Sequence, residues 1–188
     1  MKALSTSQSN AISIIRVMAM ILIVSCHITQ GYDQQIAFIL NVGVQIFFLL
    51  SGFLYGKIEI TSIASFVKKR FVKVYIPFIF VVLCSAAIYT IFHITDISAK
   101  SVLLYLLDIQ GFIGGGIEGL NHLWFLSVLM ICYIITPIAQ KILKHNKLWF
   151  VILWIIVGVV EFGFIQKMQS IAAWIMLYLW GMFWGKNE

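Results

Sequence analysis

The sequence predicts an all-α fold, a polytopic transmembrane helix bundle of about six spans with both termini cytoplasmic. Three observations carry that expectation. Hydrophobic residues make up 62% of the chain and charged residues only 11%, whereas soluble domains carry about 25% charged residues. Apolar runs that read as candidate spans recur at about 11–30, 36–56, 74–93, 123–142, 148–165 and 170–185, the last one short. The breaks between those runs sort the charge. Lys2, Lys57, Lys68, Lys69, Arg70, Lys73, Lys141, Lys144, Lys147 and Lys186 fall on one side. The other side keeps Lys100 and Lys167 and takes Asp33, Asp96, Asp108, Glu118 and Glu161. The positive-inside rule makes the first side the cytoplasm.

The net charge of +6 therefore belongs to the membrane surface, and no nucleic-acid partner is expected. Residues 1–188 read as a single membrane-embedded domain. The first apolar run is long and lacks a small-x-small cleavage site, so it reads as a signal anchor rather than a cleaved leader. Its middle, RVMAMILIVSCH, is bounded by Arg16 and His27. Eleven residues are about three helical turns, which leaves ~20° of angular offset and ~16 Å of axial separation. Both side chains share a face, Arg16 towards the cytoplasm and His27 towards the outside. They serve either as interfacial anchors or as chemistry placed within the membrane.

The second span holds GVQIFFLLSGFLYGK, where Gly52 and Gly56 form a GxxxG beside Ser51, a signature of close helix contact. Asn41 and Gln45 lie four apart on one face, which is expected to look into the bundle or a wet cavity. The connection KIEITSIASFVKKRFVKVY is amphipathic, with Ile63, Phe66, Val67 and Phe71 at helical spacing among the basic residues. It reads either as a surface helix with its lysines at lipid headgroups or as a phosphate-binding face built from Lys69, Arg70 and Lys73.

SVLLYLLDIQGF (101–112) is too short to span and suits an interfacial or re-entrant helix. GFIGGGIEGLNH follows, without the Lys-Ser/Thr of a P-loop, and reads as a flexible lid or hairpin. Trp124 opens the fourth span in the manner of an interfacial belt, and Pro137 suggests a kink near its inner end. Glu161 near the outer end of the fifth span is placed to snorkel to water. The three cysteines, Cys26, Cys84 and Cys132, each fall within a span, so disulfides are not expected. No His/Cys cluster suggests a metal.

A guanidinium on the inner side suits phosphate or thioester-donor groups, and a histidine with a pKa near 6.5 suits removal of a hydroxyl proton or covalent group transfer. Four elements in order then resemble the integral-membrane acyltransferase 3 family, bacterial enzymes that O-acylate cell-surface glycans. They are Arg16-x10-His27, GVQIFFLLSGFLYG (43–56), RFVKVYIP (70–77) and HLWFLSVLMICYIITP (122–137). The resemblance covers roughly residues 10 to 185. It implies acyl-CoA, commonly acetyl-CoA, as the donor, an extracytoplasmic glycan hydroxyl as the acceptor, and a multi-pass place in the plasma membrane among lipid. It implies that His27 is the base or acyl carrier, that Arg16 contacts the donor, and that Lys69, Arg70 and Lys73 hold the nucleotide phosphates. The family often has arginine where this chain has Lys73. His122, Trp124 and Glu161 are the candidates on the acceptor side. Family members have more spans than the six found here. That implies a second polypeptide supplying further spans, a compact variant of the family, or, as the alternative function, a truncated or split non-catalytic subunit packing with a partner.

Overall fold

The computed structural model describes residues 4–114, 116–164 and 171–187. Each apolar run foreseen from the sequence is helical over most of its described residues. The first, α1 (Thr6–Thr29), starts where Ser5 closes a capping box with Gln8: each residue's side chain accepts from the other's backbone N–H. The second run is two helices, α2 (Gln34–Leu40), capped by Asp33, and α3 (Val42–Lys57). They meet at Asn41, whose backbone N–H still bonds back to Ala37.

The amphipathic connection is a further departure. It forms α4 (Ile63–Arg70), which is not bounded as a helix of its own but passes through a π turn (Phe71–Tyr75) directly into α5 (Ile76–Ile91). Pro77 gives the physical reason. Its ring has no N–H and crowds the carbonyl four residues back, at Lys73, so the backbone widens there. Next come α6 (Ala99–Leu106) and the four-residue α7 (Gln110–Ile113), then a 3₁₀ turn (Asn121–Leu123) leading into α8 (Trp124–His145). The last helices are α9 (Lys147–Phe164) and α10 (Ile171–Asn187).

Among the described residues four helical rods are long and apolar enough to cross a membrane: Thr6–Thr29, Gln34–Lys57, Ile63–Ile91 and Asn121–His145. The remaining two, α9 and α10, have 18 and 17 residues, about 25–27 Å at 1.5 Å per residue. Ile14, Val17, Met18, Ile21, Val24 and Ile28 stand exposed along α1. An apolar surface of that extent is lipid-facing in a polytopic helical membrane protein.

The chain packs as two units, residues 1–59 with 138–188, and residues 60–137. In the first, α3 and α10 meet backbone to backbone. A Cβ on Gly52 would lie 2.7 Å from the carbonyl carbon of Tyr178, and one on Gly181 would lie 2.9 Å from the backbone of Leu49 and of Phe53. Gly56 and Gly185 repeat the arrangement one turn along. The seam is thus two GxxxG motifs facing each other, closed by Phe48 stacked on Trp174 at 6.0 Å and by Tyr55 beside Tyr178. Gly43 lets α1 approach α3 closely as well, though less tightly, at Ala19, Leu22 and Ile23. Gln140 donates to the carbonyls of Tyr55 and Ile58, the orphan acceptors at the end of α3.

In the second unit the core is Phe78, Val82, Tyr105, Ile117, Leu120 and Leu123. The Tyr75 hydroxyl donates to the Leu106 carbonyl, tying the end of the π turn to α6. The glycine-rich connection does not stand clear as a lid. Ile117 and Leu120 are buried, the Ile117 N–H donates to the Tyr105 hydroxyl at 3.3 Å, and Gly119 lies against Tyr89. Apolar side chains following the glycines pull this stretch onto α5 and α6. Pro137 is interior to α8, eight residues from its end, rather than terminal. The boundary between the two units falls immediately after it.

Candidate functional site

Each unit holds part of the candidate machinery. In the first, Ala19, Ile23 and Cys26 form the buried stripe of α1, the side packed on α3. At ~100° per residue, Arg16 and His27 lie within ~20° of each other and roughly 50–75° from the middle of that stripe. They therefore flank the α1–α3 seam on the same side, as their spacing predicts. Arg16 is exposed and His27 half-buried. His27 Nδ1 is 3.3 Å from Gln30 Oε1, and the Gln30 amide reaches Cys26 Sγ at 3.8 Å. The Cys26 thiol in turn donates to the Ala37 carbonyl on α2. Gln30 thus orients the imidazole and ties it to the next helix. Sequence reasoning missed it, although a polar residue three positions after a histidine on a helix is within reach of it. Gln45 is exposed, not turned into the bundle, because the buried stripe of α3 runs through Val44, Phe48, Ser51 and Tyr55.

In the second unit, Lys68, Lys69 and Lys73 are exposed and Arg70 is half-buried. The Arg70 guanidinium lies over the rings of Phe66, at 5.4 Å, and Tyr133, at 5.9 Å. Phe66 is one helical turn before it, and Tyr133 comes from α8, so two helices hold its planar fork. A stacked guanidinium is pre-organised for bidentate contact with phosphate or carboxylate. Lys73 lies inside the π turn, three residues on. Such turns are frequent at functional sites. His122 is exposed on the 3₁₀ turn and Trp124 is half-buried at the start of α8. The side chain of Glu161 lies outside the described residues.

A second polar cluster in this unit went unrecognised from the sequence. The Ser127 hydroxyl donates to Asp108 Oδ1 at 2.7 Å. Beside them, the Gln110 side chain is buried on α7, and neither its amide nitrogen nor its oxygen has a hydrogen-bond partner among the described residues. Asp108 adopts φ 54, a left-handed conformation uncommon outside glycine. Burial pushes its carboxyl above the ordinary aspartate range, only partly offset by the Ser127 hydroxyl and the nearby Gln110 amide. Burial likewise raises the Tyr105 phenol, against the bond from Ile117. The sequence signal was a carboxylate, an amide and a hydroxyl in two segments 17 residues apart, with no spacing to connect them.

The family model described as an acyltransferase domain matches residues 9–188. Among curated proteins and solved structures, none matches the chain.

Proposed function

Since the chain belongs to the acyltransferase family whose model covers residues 9–188, and is thus a membrane acyltransferase, we propose that it moves an acetyl group from cytoplasmic acetyl-CoA to a hydroxyl of an extracytoplasmic cell-envelope glycan, in the plasma membrane of a bacterium. The observation that supports this most is the pairing of Arg16 and His27 along one flank of the α1–α3 seam, ~16 Å apart. That separation is about half the hydrocarbon thickness, so a donor group on one side and an acceptor on the other can each meet one of the pair.

In this reading Arg16, Lys69, Arg70 and Lys73 hold the donor. Lysine and arginine offer phosphates charge, and the aromatic-stacked Arg70 adds a fixed fork. His27, oriented through Gln30, accepts the proton of the glycan hydroxyl as its oxygen attacks the thioester carbonyl. The tetrahedral intermediate expels the CoA thiolate, which takes that proton from the imidazolium. His122, Trp124 and Glu161 belong to the acceptor side. Both termini are cytoplasmic. The exposure of Arg16 also favours a second polypeptide packing over α1, because a guanidinium facing lipid is costly.

The test is surface acylation in cells carrying His27→Ala, with the membrane level of the protein measured in parallel. Loss of acylation at an unchanged protein level is expected. Wild-type acylation by that variant removes the catalytic role and leaves the second reading, a non-catalytic subunit that packs with a partner.

A further inference from the structure

A buried amide with no partner is costly, roughly the desolvation penalty of each unmet group, and calls for an explanation. Gln110 is 7% exposed; neither of its polar atoms makes a hydrogen bond of ordinary geometry among the described residues, and its amide stands beside the Asp108 carboxylate, which it steadies. It sits with Asp108, whose carboxylate has an oxygen beyond the one that takes the Ser127 hydroxyl. Gly111 faces the Trp124 carbonyl, 3.0 Å from where a Cβ would stand, and the side chain of Ser127 at 3.3 Å. The cluster is therefore seated against the first turn of α8, next to Trp124.

The donor set selects its ligand. The Gln110 NH₂ offers donors, while Gln110 Oε1 and the second Asp108 oxygen offer acceptors. An anion would be repelled by the carboxylate. A hard cation would meet few oxygens and the positive end of the amide. A neutral hydroxyl both donates and accepts and so satisfies the set. The four residues of α7 are bracketed by Asp108 at φ 54 and Gly114 at φ 78, the latter with open space around it.

We propose that Asp108, Gln110 and Ser127 form a subsite for a neutral sugar hydroxyl, the acceptor-side counterpart of the acyl-transfer reading on which it rests. Asp108 and Gln110 contact the hydroxyl directly. Ser127 is a positioning residue that aims the Asp108 carboxylate.

The experiment uses the full chain in lipid nanodiscs. Neutral oligosaccharides of N-acetylglucosamine, glucose and rhamnose serve as probes, with inorganic phosphate and calcium as comparison arms, and binding is read by saturation-transfer NMR. At least one saccharide is expected to bind saturably, while phosphate and calcium neither bind nor compete. Gln110→Leu is expected to weaken that binding about tenfold, the worth of one good hydrogen bond, with acetyl-CoA affinity unchanged. The same variant is expected to unfold at a higher temperature, because it removes an unmet amide from a buried site. A merely structural glutamine, satisfied by an ordered water, would instead lose stability on that change. Should Gln110→Leu not fold, Gln110→Met keeps the length of the side chain, removes the donors, and must show the same loss. Absence of saccharide binding to the wild type, unchanged binding in both variants, or a lowered unfolding temperature in Gln110→Leu overturns the proposal. Saccharide binding that depends on Gln110 in a chain that transfers no acyl group leaves the subsite and removes the transfer reading. Acyl transfer with an unchanged saccharide KM in Gln110→Leu removes the subsite alone.

Discussion

Replacing Gly52 with alanine tests the α3–α10 seam most directly. The new Cβ would lie 2.7 Å from the carbonyl carbon of Tyr178 and 3.1 Å from the Met182 nitrogen, and closer still to the Tyr178 oxygen. Ordinary contact begins at 3.4 Å, so the helices must part by at least about 0.7 Å, and the obstacle is backbone that no rotamer can move. Overpacking of this kind costs about 1–3 kcal/mol, and a rigid obstacle points to the upper end. Alanine returns about 0.5–1 kcal/mol in helix propensity. The net is a loss of about 2 kcal/mol, or roughly 4–8 °C in unfolding temperature when scaled from globular domains of this size. Gly158→Ala is the matched control on α9. Its Cβ would meet the Met176 methyl at 2.9 Å, the far end of a flexible side chain, so the propensity gain dominates and the sign reverses. The assay is thermal unfolding in mild detergent, followed by labelling of Cys26 and Cys132, which are buried, in a background where the exposed Cys84 is serine. If Gly52→Ala unfolds at or above the temperature of Gly158→Ala, the two facing glycine motifs do not hold the unit together and the reasoning fails.

Other outcomes follow from the same geometry. Gln30→Leu removes the partner of His27 Nδ1 and is expected to lower acyl transfer about tenfold or more with little change in donor KM; an equal rise in donor KM would contradict an orienting role. Tyr133→Leu strips one ring from Arg70 and is expected to weaken acetyl-CoA binding by about 0.5–1 kcal/mol, read by equilibrium dialysis, whereas Lys73→Arg restores a bidentate fork and is expected to tighten it. Asp108 has its pKa raised on folding, so the folded chain holds that proton more tightly than the unfolded one. Its contribution is fully present below the unfolded value near 3.8 and is lost as pH rises through the elevated folded value. Relative to Asp108→Asn, the wild type should therefore lose stability across that window on going from acid to neutral pH; parallel stability profiles for the two proteins would refute the burial of this carboxyl.

The chain's own residues determined the class of fold, because apolar runs of spanning length leave the backbone no stable option in a bilayer but the helix. They also determined that Arg16 and His27 share a flank, since eleven residues on any straight helix do so. Pro137 and the amphipathic stretch at 57–75 were legible as features but not in their effect. Whether a basic segment ends as a helix of its own or runs on through a π turn into a span depends on how Pro77 is accommodated. The facing glycines were half legible: Gly52 and Gly56 announced a close approach, but not that Gly181 and Gly185 would receive it. Asp108, Gln110 and Ser127 were illegible altogether. Periodicity along one helix is a local property, whereas a polar cluster assembled from a short helix and the first turn of another exists only once tertiary packing has buried both.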